Sequence, residues 1–333
     1  MSSKSCWSVF SPHISDFIGL KRSLGYKYKE EERILYRFDR FIIDQGHTSI
    51  GLNKEISDKW ADRLHNEAEL TMYSKVKVVK QLAEYMRGQG IKTYVPQLPK
   101  YPANTFIPYI YSHGEINGIF RACDSLRMKC RNIYSSLLIM PCLLRLLYGT
   151  GIRISEALSL KNKDINISAR YLTLKDTKNG KDRLVSMSCS LSEVCKDYLE
   201  YRDKLLVSGL KRENGPFFVS LNGEACKHDA VHRWFRKVLE IAGIPYTGNR
   251  KGPRIHDIRH TFACHSFLKL SDDGVDLYCS WPYLSTYLGH QSLESTEQYI
   301  RLTSQMYPEL LKDTDGLYVD VLPDITGKTK RLP

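Results

Sequence analysis

The sequence has no long hydrophobic run. Its longest apolar stretch, Leu137 to Leu147, carries Arg145 and falls well short of the ~20 residues a membrane span needs, so it reads as a core helix. Cysteine supplies no framework: the nine cysteines, at 6, 123, 130, 142, 189, 195, 226, 264 and 279, include no Cys-x-x-Cys pair. That pattern excludes regular metal-ligand spacing and reads as reduced thiols. No Gly-x-x-x-x-Gly-Lys-Ser/Thr nucleotide loop is present, and neither an internal repeat nor a low-complexity tract occurs. The N-terminus, Met-Ser-Ser-Lys-Ser-Cys-Trp, lacks the apolar run and small-residue cleavage site of a secretory signal, so the expected location is the cytoplasm.

What is present in excess is positive charge. The formal charge is +12, with 17 Lys and Arg against 12 Asp and Glu in residues 1–100 and 32 against 25 in the remainder. A basic balance in both parts fits a protein that grips a polyanion from two sides, and equally fits a soluble surface. The length of 333 residues exceeds what a single core sustains and suggests two domains.

Helical spacing of apolar residues runs from Val9 to about Gly90, as in Ile34, Leu35, Phe38, Phe41 and Ile42, with stops at Gly25, Gly46, Gly51, Gly88 and Gly90, which predicts four helices. Tyr94 to Pro108 then holds four prolines, which deny the backbone helical hydrogen bonds and keep it extended. The expected organisation is a helical domain at 1–93, a Pro-rich linker at 94–108, a second domain at 109–305 and a tail at 306–333. Helical patterning resumes from His113 through Leu147, followed by the Gly149-Thr150-Gly151 turn and a short helix from Ile154. Tyr171–Asp176 and Arg183–Met187 alternate as strands about Asn179-Gly180, the dipeptide of a tight hairpin. Helices fill most of the rest, with loops at 214–216, 247–253 and 271–274. The expected class is mainly α with one small antiparallel β-sheet.

Four segments carry polar residues that a plain helical domain does not need: Gly-Thr-Gly-Ile-Arg153-Ile-Ser-Glu, Thr-Lys178-Asn-Gly-Lys181, His256-Asp-Ile-Arg259, and Leu-Gly-His290 with Tyr299 nine residues on. Two arginines, a lysine and two histidines without clustered carboxylates suit an anion, phosphate above all, because guanidinium groups present paired donors to its oxygens. A phenol, with a reference pKa of ~10, needs a neighbouring base or cations to attack at neutral pH. His256 and Arg259 at i and i+3 share one helix face. Arg153 follows a glycine turn and should emerge at a helix N-terminus, where an anion is favoured. Lys178 on a hairpin tip could protonate a leaving sugar oxygen. Taken singly, each has a plain reading: Arg153 and Glu156 as a surface pair, Lys178 as a solvated charge, His290 as a helix end, Tyr299 as a packing residue among 21 tyrosines. Their joint occurrence, in this order and around a hairpin, favours a common site.

In these segments the chain resembles the tyrosine recombinases of the lambda-integrase and Xer type, whose catalytic domain carries Gly-x-Arg-x-Ser-Glu, a hairpin Lys, His-x-x-Arg, Leu-Gly-His and Tyr. The likeness covers roughly residues 110–305, with Ser271 to Trp281 longer than the family pattern; the N-terminal helices are similar to the core-binding domain in architecture. The resemblance implies a two-domain C-shaped clamp on double-stranded DNA carrying specific recombination sites. Arg153 and Arg259 would clamp the scissile phosphate, Lys178 would protonate the 5′-hydroxyl leaving group, His256 would assist proton transfer, His290 would bond the phosphate, and Tyr299 would form the 3′-phosphotyrosyl bond. Matching Lys-Asp-Arg-Leu-Val to the family's Lys-Glu-Arg-Leu-Val selects Lys178, with Lys181 in reserve. It further implies a homotetramer on synapsed DNA with the tail docking on a neighbour or on its own subunit, no cofactor, metal or ATP, no membrane, a nucleoid-associated location, and a role in integration or excision of a mobile element. A type IB topoisomerase and a catalytically silent DNA-binding regulator of the same fold are the alternatives.

Overall fold

The computed structural model describes residues 8–63, 65, 67–102, 107–128, 132–175, 182–246, 252–275 and 277–289, the last of these with backbone only over 277–281. The chain divides into two compact units, Met1–Phe106 and Ile107–Pro333.

Among its described residues the first unit contains four helices, as the periodicity predicts: α1 (Ser11–Ser23), α2 (Lys29–Asp44), α3 (Lys54–Ala61) and α4 (Glu69–Gly88). Each has a local cause. Pro12 opens α1, Glu30, Glu31 and Glu32 complement the positive end of α2, and the Asn53 side chain accepts from Ile56 N to cap α3. Their apolar faces meet in one core, where Phe38 packs edge-on against Phe10 and Trp60 and where Leu35, Ile42, Leu82 and Met86 are sealed from solvent. Burying each such side chain stabilises by about 1.5–3 kcal/mol. One ion pair is buried with them, Lys75 Nζ to Glu67 Oε2 at 2.7 Å, and the same ammonium donates to the Asp62 carbonyl.

The second unit is built on α6 (Met140–Thr150), entered through a 3₁₀ turn at Leu137–Ile139. Its Met140, Leu143, Leu144, Leu146 and Leu147 are almost wholly buried, as expected of the longest apolar stretch, while Arg145 reaches out to Asp124 at 2.7 Å. Around it lie α5 (His113–Ser125), α7 (Ile154–Ser159), α8 (Cys189–Arg202), α9 (His228–Ile241), α10 (Asp257–Asp272) and α11 (Leu277–Leu288). Among the described residues no helix is long and apolar enough to cross a membrane. A three-stranded antiparallel sheet runs in the order β1 (Ile165–Asn166), β2 (Tyr171–Leu174), β3 (Arg183–Ser186), with Leu172 opposite Val185 and Leu174 opposite Arg183. The Asn179-Gly180 turn lies outside the described residues.

Three details depart from the sequence reading. The helical pattern from His113 to Leu147 is broken between α5 and the 3₁₀ turn, because Leu126 takes an extended backbone (φ −61°, ψ 137°). The sheet gains β1, whose two residues are too few to show a period. The loop placed at 271–274 starts later, since α10 continues through Asp272 and turns at Gly274 with φ +76°; exposed polar residues suit a final helical turn as well as a loop.

Candidate active site

Gly151 ends α6 in the left-handed conformation, φ +62°, which glycine adopts without steric cost. The chain reverses there, and Arg153 becomes the N-cap residue of α7 in extended backbone (φ −71°, ψ 145°). Glu156, one turn on, folds back: its Oε2 accepts from Arg153 N and its Oε1 from Arg153 Nη1, both at 2.9 Å. This is no solvated surface pair, because Glu156 is 7% exposed and Arg153 19%.

A second cation completes it. Arg183, first residue of β3, donates from Nη2 to Glu156 Oε2 at 2.9 Å and from Nη1 to Oε1 at 3.3 Å. Burial pushes the Glu156 carboxyl up, but hydrogen bonds from Arg183 and Arg153 outweigh it and hold the group below the usual carboxylate range.

His256 is the N-cap residue of α10 and Arg259 lies in that helix's first turn, so the i, i+3 spacing does place them on one helix end. Asp257, 1% exposed, anchors the approach: its carboxylate accepts from Arg254 N at 2.8 Å and from Arg254 Nη2 at 2.9 Å. Arg259 is buried, with Nη1 donating to the Gly151 carbonyl at 2.7 Å and Nη2 to the Leu288 carbonyl at 2.8 Å. His256 is depressed to about 4 by burial first, then by the positive charges of Arg259, Arg254 and Arg153. Three of the residues singled out in the sequence, Arg153, His256 and Arg259, thus come together although the chain separates Arg153 from the other two by about a hundred positions. Lys178, Lys181, His290 and Tyr299 lie outside the described residues. The described chain ends at Gly289, φ +68°, against which the Arg183 guanidinium packs: a Cβ there would stand 2.9 Å from Arg183 Nη1.

Arg183 is not apparent as a site residue from the sequence. Its one signal is position, two residues after Lys181 in the Lys-Asp-Arg-Leu-Val stretch. Among the described residues no group of three or more His, Cys, Asp or Glu side chains could hold a metal ion. Chemically, the arrangement gathers guanidinium groups beside one imidazole that is neutral at pH 7, suited to binding an anion and to taking up a proton beside it.

The phage integrase family model matches residues 111–306. Over 321 residues the chain is 32% identical to the integrase/recombinase y4rB of Sinorhizobium fredii, covering 94% of this chain and 99% of that one. It is 28% identical over 241 residues to the tyrosine recombinase XerA of Pyrococcus furiosus, covering 71% and 72% respectively. In fold it is similar to the XerH site-specific recombinase in a post-cleavage complex with palindromic difH substrate, with TM-score 0.61 and 19% identity over 85% of this chain and 78% of that one. It is also similar to the Tn1549 transposon integrase in complex with a circular intermediate DNA, with TM-score 0.61 and 15% identity over 90% and 99%.

Proposed function

This chain belongs to the phage integrase family, and from that premise we propose that its site works through Tyr299 as nucleophile, Arg153 and Arg259 as the phosphate clamp, Lys178 as general acid and His256 and His290 as proton-handling and phosphate-bonding partners. The chain is a tyrosine site-specific recombinase, an enzyme that cuts and rejoins DNA strands through a phosphotyrosine intermediate. The observation that carries the residue assignment is the convergence of Arg153, His256 and Arg259, with Arg259 bonded to the Gly151 carbonyl two residues before Arg153.

The steps balance without an external energy source. The Tyr299 oxygen attacks the scissile phosphorus, a new P–O bond to tyrosine forms, the P–O bond to the 5′-oxygen breaks, and Lys178 gives that oxygen its proton. The phenol proton goes to His256, whose imidazole is neutral at pH 7 because burial and the guanidinium charges hold it at about 4; a phosphodiester anion bound there offsets those charges and makes the imidazole a stronger base. A 5′-hydroxyl from another strand then reverses the sequence, releasing tyrosine and sealing a new junction. The arginine donors gain value as charge grows on the non-bridging oxygens.

The same reading includes the division into a DNA-binding domain at 1–93, linker at 94–108, catalytic domain at 109–305 and tail at 306–333. It includes double-stranded DNA bound by a homotetramer, and integration or excision of a mobile element. Support for it comes from the relatives' names as integrases and recombinases and from basic charge in both parts of the chain. The test uses nicked suicide duplexes made from the flanks of the encoding gene. A covalent protein–DNA adduct that Tyr299→Phe abolishes supports the reading. Absence of adduct on every flank duplex, or an adduct that survives Tyr299→Phe, refutes it.

A further inference from the structure

Glu156 is shared. It takes two hydrogen bonds from Arg153 and two from Arg183, 27 residues later on β3. The Arg183 guanidinium also packs against Gly289, immediately before His290. The same strand meets α11 again where Tyr287 Oη donates to the Ser186 carbonyl at 3.4 Å. Arg183 is 13% exposed, and its Nε has no hydrogen-bond partner among the described residues. A guanidinium so nearly buried, with one N–H unmatched, costs desolvation that plain strand packing does not require.

We propose that Arg183 is a positioning residue for strand cleavage: through Glu156 it fixes the Arg153 guanidinium, and through Gly289 it fixes the backbone that leads into His290. Lys178 precedes β3 by five positions in the chain, and within the described residues one side chain links β3, the Arg153 guanidinium and the glycine that ends α11. Arg153 meets both carboxylate oxygens, one through its backbone N–H and one through Nη1. Arg183 adds a second donor to each oxygen, so the carboxylate plane is held from two sides. Lysine at 183 could meet only one oxygen.

The inference rests on the recombinase reading above, so its test has one arm that needs no DNA. In the full chain labelled with ¹⁵N-arginine, Arg183→Ala is expected to speed solvent exchange of the Arg153 guanidinium protons, with Arg183→Lys intermediate. An unchanged exchange rate overturns the positioning role. The second arm uses the flank duplex that the wild type captures. Arg183→Ala should slow single-turnover adduct formation on the order of 100-fold, the scale of a misplaced reacting group, while affinity for that duplex is kept, and Arg183→Lys should recover part of the rate. A duplex with a neutral methylphosphonate at the scissile position lacks the charge Arg153 meets, so the loss should shrink on it. Equal losses on both duplexes mean a merely structural role and overturn the proposal. If the wild type captures no flank duplex, the recombinase reading fails and the exchange arm still decides the placement of Arg153.

Discussion

Arg259 Nη1 donates to the Gly151 carbonyl at 2.7 Å, joining residues 108 positions apart in the chain. Gly151 is the C-cap of α6, and Leu288, which accepts from Nη2 of the same guanidinium, is the last residue of α11. Carbonyls at helix C-termini have no intrahelical donor and sit at the negative end of the helix dipole. One planar cation therefore satisfies two helix ends at once, and fixes where the chain turns toward Arg153 on one side and His290 on the other.

It follows that Arg259→Lys, though it keeps the charge, cannot serve both carbonyls in the fixed geometry of a guanidinium. One buried acceptor left unmatched costs about 1–3 kcal/mol. The expected result is an unfolding free energy lowered by that amount, read as a lower urea midpoint at unchanged slope by circular dichroism. A wild-type midpoint for Arg259→Lys would show that these two bonds do not hold the unit together.

Gly151 should tolerate no side chain. A Cβ there would lie 2.2 Å from Phe262 Cδ1 and 3.0 Å from Leu288 Cδ2, in a backbone at φ +62°. Gly243 is the matched control: it has φ +71° but nothing within 4 Å of its Cβ position. Gly243→Ala should cost only the left-handed strain, about 1–2 kcal/mol, and Gly151→Ala that strain plus overpacking, about 1–3 kcal/mol more. Equal denaturation midpoints for the two variants would exclude the steric argument.

Two histidines, the buried His265 and the half-buried His256, set an acid limit on stability. His256 is held at about 4 by burial, then Arg259, Arg254 and Arg153; His265 is held at about 4 by burial and then by His113, whose ring stacks on it at 3.9 Å. An unfolded histidine titrates near ~6.5. Because the folded values are depressed, the unfolded chain binds more protons between those limits, so this stabilisation is whole above about pH 6.5 and is lost as pH falls toward 4. The midpoint should be flat from pH 7 to 8 and drop from 6.5 to 4, with His265→Asn shallower than wild type. Titration of the His256 ring near 6.5 in an NMR experiment would remove the basis for this expectation.

Much of this was legible from residue order. Gly151 two residues before Arg153 announced a turn into a helix start, and His256 with Arg259 announced a shared helix end, because both are local signals within one turn of chain. Arg183 was not legible: a charged residue at the start of a strand reads the same whether it faces water or a carboxylate 27 positions earlier, and only the sheet's placement against α7 decides. The burial of Glu156 was hidden for the same reason. Its spacing from Arg153 shows a pair, but what covers that pair comes from β3. The break after Leu126 was masked by apolar periodicity that continues on both sides of it.

Glu156 offers the sharpest separation of charge from shape. Glutamine fills the same volume but gives Arg153 and Arg183 one acceptor oxygen instead of two, and leaves two guanidiniums, 19% and 13% exposed, without their shared counter-charge. Removing one partner of a buried charge network costs about 3–5 kcal/mol, and partial exposure of both arginines places this case at the lower end. Because the folded Glu156 pKa is lowered, the wild-type contribution is present above the unfolded carboxylate value of ~4.3 and is lost as pH falls through the lower folded one. Glu156→Gln should therefore be less stable than wild type at pH 7, and the gap should narrow as the pH is taken below about 4. A gap of constant size across that range would mean that packing, and not the charge of Glu156, is what the substitution removes.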